Sequence, residues 1–108
     1  MMNIAHVQNP DQWFQIIATA RKSQVAIMTL APGKSSGPKG NEHPKCEQVL
    51  YVIEGELLAE IGDEKGTLRK GDLVIVPAGA DHRFVNQSGS RAVTLNVYAP
   101  PAYRPEES

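Results

Sequence analysis

The sixteen-residue run from Gly71 to Asn86 constrains the fold more than any other part of the chain. Two short apolar stretches, Leu73 to Val76 and His82 to Val85, flank Pro77, Gly79 and Asp81, and this reads as strand, tight turn, strand. Alternate side chains of a strand share a face, so His82, Phe84 and Asn86 point one way and Arg83 and Val85 the other. One imidazole is delivered to one side of a sheet. His43 stands upstream, beside a second apolar run that ends at Gly55, and the pairing of the two histidines suggests a metal or small-molecule site inside a barrel.

The 108 residues make one domain, which on folding buries roughly two-thirds of the surface the unfolded chain exposes. A net charge of -1, with acids and bases scattered, leaves no electrostatic footprint for a nucleic-acid backbone. No apolar run approaches the roughly 20 residues that cross a bilayer, and the N-terminus lacks the basic-then-apolar pattern of a signal peptide, so a cytoplasmic protein that meets neither nucleic acid nor membrane is expected. Cys46 is the sole cysteine, which excludes an intrachain disulfide and fits a reducing compartment.

Along the chain, Asn9-Pro10-Asp11-Gln12 carries the signals of a helix start and predicts at most a short helical turn. Gln15–Ala20 and Gln24–Leu30 are apolar runs of strand length separated by Arg21-Lys22-Ser23, a predicted hairpin. Residues 31–40 hold two prolines, three glycines and two serines, and predict a mobile loop with little reason to pack. Glu47–Ile53 is β-branched and aromatic, and predicts a strand buried on both faces. Glu56 to Ile61 alternates, with Leu57, Ala59 and Ile61 inward and Glu56 and Glu60 outward. Gly62 to Gly66 predicts a turn, Thr67–Arg69 a short strand, and Arg91–Tyr98 the last strand. The proline-rich segment from Pro100 predicts either a surface strap or a disordered tail. Short strands with a turn signal every eight to twelve residues argue for an all-β sandwich or barrel.

The spacing Gly71, Pro77, Gly79, His82, Asn86 matches position for position the second conserved motif of the cupin superfamily. Tyr51-Val52-Ile53-Glu54-Gly55-Glu56 resembles the end of the first motif. Counting back from Gly55 sets Gln48 in the usual glutamate slot, His43 in the second histidine slot and Asn41 in the first, while Gly37 lies nearer to Asn41 than the family pattern has it. The resemblance implies a double-stranded β-helix, the jelly-roll cupin barrel, over residues 24–98. Residues 1–23 form a turn and strand packing on it, and 99–108 a proline-rich tail. It further implies a divalent transition metal, iron, manganese, nickel or zinc, at the barrel mouth, held at Asn41, His43, Gln48 and His82, and a homodimer, since cupins of this length commonly pair.

Two of the four ligand positions are amides. An amide oxygen is a neutral and weaker donor than a carboxylate, so affinity should fall relative to a fully equipped site. Glu42 and Glu47 each lie one position from an inward slot and would need a bulge to reach the metal. The bland alternatives are definite: His43 and His82 as hydrogen-bonded histidines at the mouth, Gln48 as a buried amide bonded to its surroundings, Asn41 as a turn residue, Asn86 as a structural cap, and Cys46 as a half-buried thiol. Trp13 and Phe14 are expected to pack over a barrel end, and Tyr51, Tyr98 and Tyr103 suit either a cavity or an interface. Two functions stay open: a metal-dependent dioxygenase or isomerase acting on a small organic substrate, and a non-catalytic small-molecule binding or sensor module with a degenerate metal site.

Overall fold

The computed structural model describes residues 2, 4–7, 12–41 and 43–103. Within them the chain forms eight strands: β1 (Phe14–Thr19), β2 (Gln24–Leu30), β3 (Glu47–Glu54), β4 (Glu56–Ile61), β5 (Glu64–Arg69), β6 (Leu73–Val76), β7 (His82–Val85) and β8 (Ala92–Ala99). The helical turn expected at residues 9–12 falls largely outside the described residues. No helix among the described residues is long and apolar enough to cross a membrane.

Two antiparallel sheets face each other, one ordered β1-β2-β8-β3-β6 and the other β5-β4-β7. Period-2 alternation builds the core between them. Met28 and Leu30 of β2, Leu50 and Val52 of β3, Leu57 and Ala59 of β4, Val76 and Phe84 all point inward and are buried. Each large apolar side chain taken fully from water contributes about 2 kcal/mol before entropic costs. Leu57 and Ala59 lie in this core and Ile61 packs against it, while Glu60 points outward as the alternation predicts. Glu60 is nonetheless buried, because its carboxylate lies under Arg83 of β7 at 2.6 Å and Lys65 of β5 at 3.6 Å. The Arg83 guanidinium holds the Glu60 carboxyl below the usual carboxylate range.

Four expectations are corrected. First, β3 is not covered on both faces: the inner face is buried, but Tyr51 and Ile53 are 39% and 40% exposed, and on the neighbouring β6 Leu73 and Ile75 are 58% and 57% exposed. An apolar run identifies a strand without saying whether a second layer covers its outer side. Second, β5 begins at Glu64, because Gly62-Asp63 alone reverses the chain, and Ile61 pairs directly with Glu64. Gly62 has φ +58° and Asp63 does not have positive φ, the pattern of a two-residue hairpin with glycine in the first central position.

Third, residues 31–40 are not a free loop. Gly33 N donates to Asn86 O, Ser36 N to Phe84 O, and Asn86 N to Lys34 O, while Gly40 and His82 exchange both backbone bonds. Ser36 Oγ also accepts from Phe84 N. The segment lies along the open edge of β7, with bridges at Ser35–Val85 and Gly40–His82. Backbone pairing is indifferent to the side chains that made the segment look like a loop. Fourth, Trp13 borders a cavity at the barrel end as expected but is not packed away, being 57% exposed with its ring tilted against Phe14 at 5.5 Å.

The ends of the barrel are tied by buried polar side chains. Asn86 is fully buried; its Nδ2 donates to Leu30 O and Ser90 O, and its Oδ1 accepts from Ser88 N and Ser88 Oγ. This is the structural cap expected of it. Gln24, also fully buried, clamps the C-terminal segment, which is therefore a strap as far as Tyr103.

Candidate metal and ligand site

Asn41, His43, Gln48 and His82 all line one cavity of about 210 Å³ at an open end of the barrel. Three separate parts of the chain bring them there. Asn41 and His43 follow the strip zipped onto β7, Gln48 lies on the inner face of β3, and His82 begins β7 directly after the Pro77–Gly79 turn.

The hydrogen bonds fix which atom each side chain leaves for the cavity. Thr94 Oγ1 donates to Met28 O, a carbonyl that can only accept. Thr94 Oγ1 must then accept, which it does from Asn96 Nδ2 at 2.9 Å. Asn96 Oδ1 in turn accepts from Gln48 Nε2 at 2.9 Å. The relay has one consistent direction, and it leaves Oε1 as the atom Gln48 offers to the cavity it lines. Asn41 Nδ2 donates to Gly79 O at 3.0 Å, which leaves its Oδ1. His82 Nδ1 lies 3.0 Å from Ala80 O, again an acceptor only, so Nδ1 carries the proton and Nε2 keeps its lone pair in the neutral ring. His43 Nε2 is buried and has no hydrogen-bond partner. Among the described residues, each of the four thus retains a nitrogen or oxygen with no hydrogen-bond partner.

Aromatic rings form much of the remaining wall. Tyr103 stands at 4.6 Å from the His43 ring, 5.1 Å from Phe14 and 5.4 Å from Tyr98, centroid to centroid. Burial, with the adjacent Tyr103 phenol, pushes the Tyr98 hydroxyl far above the ordinary range, so it stays protonated. Cys46 is half-buried, its Sγ donates to Pro100 O at 3.1 Å, and burial raises the thiol. The bland reading of Cys46 stands.

Of the two carboxylates considered as replacements, the described one does not serve. Glu47 is exposed beside the inward Gln48, as strand alternation requires, and Glu42 lies outside the described residues. Among the described residues no group of three or more histidines, cysteines, aspartates or glutamates could hold a metal. Among the described residues a divalent ion therefore fits a mixed set of two imidazoles and amide oxygens. The buried, unpartnered His43 Nε2 and the fixed His82 tautomer fit it, and the missing negative charge must come from whatever binds alongside. The four positions expected from the sequence line this one cavity, and of the three tyrosines left open between a cavity and an interface, Tyr98 and Tyr103 line the cavity while Tyr51 stands exposed on the outer sheet face.

A barrel of facing antiparallel sheets with motif residues gathered at one mouth defines a cupin, and residues 26–98 match the Cupin domain family model. The chain belongs to the cupin family. It is 34% identical over 77 residues to the tetracenomycin polyketide synthase protein TcmJ of Streptomyces glaucescens, covering 71% of this chain and 50% of that protein. It is 29% identical over 105 residues to the uncharacterized protein L612 of Acanthamoeba polyphaga mimivirus, covering 94% of this chain and 64% of that one. The chain thus spans half to just under two-thirds of the length of these curated relatives. Among solved structures it is similar to TT1209 from Thermus thermophilus, with a TM-score of 0.80, 28% identity, and 92% and 98% of the two chains covered. It is also similar to a cupin-superfamily sugar phosphate isomerase from Silicibacter pomeroyi, with a TM-score of 0.67, 27% identity, and 74% and 52% covered.

Proposed function

We propose that this cupin binds a divalent first-row metal ion at the barrel mouth through His43, His82 and Gln48, with Asn41 or water completing the shell, and takes a small organic ligand beside it. The observation that carries this reading is the set of lone-pair atoms left over at those four side chains, of which His43 Nε2 is buried and bonded to nothing. A buried polar atom without a partner costs about 1–3 kcal/mol, which ligation would relieve. The metal would supply Lewis acidity toward an oxygen of the ligand. The chain's own contribution is to hold the His82 imidazole in one tautomer through Ala80 O and to pack the His43 ring against Tyr103. An isomerase or dioxygenase reaction suits such a site, and likeness to a sugar phosphate isomerase supports the former.

Metal per subunit, measured by elemental analysis on protein purified without chelators and again after dialysis against manganese or zinc, tests the reading. Near-stoichiometric metal in the native chain and at least a tenfold fall in His82→Ala, with circular dichroism unchanged, is the expected result; ligand deletions of this kind remove more than about 1.4 kcal/mol of affinity. Equal metal in both proteins overturns the assignment. A native chain that takes up no metal favours the second reading, a non-catalytic binding or sensor module, which the absence of a carboxylate among the four residues also favours.

The proposal extends to a second copy of this chain on the outer face of the five-stranded sheet. There Tyr51 and Ile53 of β3 and Leu73 and Ile75 of β6 stand exposed beside Val49 and Val97, an apolar surface continuous across three strands. Large exposed apolar patches mark interaction sites, and a stable pair needs about 800 Å² from each partner, within reach of a sheet face this wide. Sedimentation equilibrium should show a dimer for the native chain and a monomer for Leu73→Lys/Ile75→Lys. A dimer unaltered by the two lysines rules this face out.

A further inference from the structure

We infer that the cavity selects a flat aromatic ligand carrying an anionic oxygen, with the ring held by Phe14, Tyr98 and Tyr103 and the oxygen directed to the His43–His82 side. The inference rests on the proposed binding site and names its ligand class.

Three observations carry it. The first is size: about 210 Å³ is small beside the roughly 300–1,000 Å³ of drug-sized pockets, yet exceeds the roughly 150 Å³ that accommodates benzene. A single substituted ring fits, whereas a disaccharide or nucleotide does not. The second is the shape of the wall. Tyr103 meets Phe14 and Tyr98 at 5.1 and 5.4 Å with interplanar angles of 56° and 80°, and Phe84 stands at the base beside His82, so flat surfaces meet the ligand from several sides. Aromatic pairs in edge and tilted arrangements gain affinity beyond the area they bury, a gain open to a flat aromatic ring added to this cluster and closed to a saturated one of equal area. The third is charge. Two imidazoles line the cavity and no described carboxylate does, while the Lys39 ammonium beside it is bonded to Gly62 O. Among the described residues nothing at the cavity supplies negative charge, which favours an anionic ligand with or without a metal.

The aromatic wall is set in advance. The fully buried Gln24 accepts from the backbone N–H of Ala102 and of Tyr103 through Oε1, and donates through Nε2 to Tyr103 O and to Thr19 Oγ1. Tyr103 therefore needs little further ordering when a ligand arrives. Phe14 and Tyr103 both lie outside the residues 26–98 that match the family model, so this part of the wall is added to the barrel by the two flanking segments. Tyr103 acts as a specificity-determining residue in this scheme.

Trp13, the sole tryptophan, lines the same cavity and supplies an intrinsic fluorescence signal. Benzoate, cyclohexanecarboxylate and benzamide are titrated against the full chain, once in chelator and once with saturating zinc. Benzoate should saturate in the millimolar range or below and bind about tenfold more tightly than the puckered cyclohexanecarboxylate and the neutral benzamide. Tyr103→Leu, which keeps bulk and loses the flat face, should bring benzoate and cyclohexanecarboxylate within about twofold of each other, while Tyr103→Phe keeps the preference. Equal affinity for the flat and puckered acids in the native chain, equal affinity for acid and amide, or no saturable response to benzoate overturns the inference, and none of these comparisons needs a variant. Failure here with stoichiometric metal uptake leaves the metal reading standing; selective benzoate binding in chelator with no metal uptake does the reverse.

Discussion

Gly55→Ala should lower stability by about 3 kcal/mol or more, enough to move the thermal midpoint of a domain this size by roughly 15 °C. Gly55 joins β3 to β4 where the chain leaves the five-stranded sheet for the three-stranded one. Its φ is +80°, a region that costs a residue with a Cβ about 1–2 kcal/mol. A Cβ there would also lie 2.4 Å from Arg91 O and 3.0 Å from Ala92 Cα, both backbone atoms at the entrance to β8. Backbone held in a central strand yields less readily than a side chain. Gly62→Ala is the control: its φ is +58°, but nothing lies within 4 Å of the added carbon, so only the conformational cost of about 1 kcal/mol should appear. Urea titrations of the two variants separate the effects. Similar midpoints for both would show that β8 shifts to admit the methyl group.

Asn86→Ala should cost about 3 kcal/mol, read as a lower urea midpoint at unchanged m-value. Four hydrogen bonds converge on one buried carboxamide and tie the end of β2 at Leu30 to the turn at Ser88 to Ser90, while the Asn86 backbone separately holds the start of the strip at Gly33 and Lys34. Alanine keeps the backbone bonds and strands Ser88 N and Leu30 O beside a small void. Asn86→Asp tests the chemistry separately, since a carboxylate accepts from Ser88 and cannot donate to Leu30 O or Ser90 O. It should be no more stable than alanine. An aspartate variant as stable as the native chain would mean that the two donated bonds contribute little.

The barrel and the mouth positions were legible because they depend on features a sequence carries directly. Alternation assigns Leu57, Ala59 and Phe84 to the core, and the glycine and proline spacing around His82 marks a turn that only certain residues make. What was illegible depends on the third dimension. Val49, Tyr51 and Ile53 are as apolar as core residues, yet their side of the sheet has no second layer over it. The strip at 31–40 pairs through backbone groups that every residue possesses. The direction of the Gln48–Asn96–Thr94 relay is set at Met28 O, an atom with no sequence signature, and Tyr103 reaches the cavity because Gln24, 79 residues earlier, holds its peptide. The amides at positions 41 and 48 could be aligned by counting, but only the hydrogen bonds say which of their two ends faces inward.

The strip zipped to β7 gives the site a mechanical property that a floppy loop would lack. Gly40 and His82 are bonded to each other twice through the backbone, and His43 follows three residues after Gly40. His82 forms the last bridge of the strip, so swinging the strip outward would carry His43 away from His82, which β4 holds in place from the other side. Opening and loss of the histidine pair become a single cooperative event rather than independent ones. Insertions between residues 31 and 40, ordinarily the changes a surface loop absorbs without consequence, would in this protein be transmitted to the spacing of the two rings.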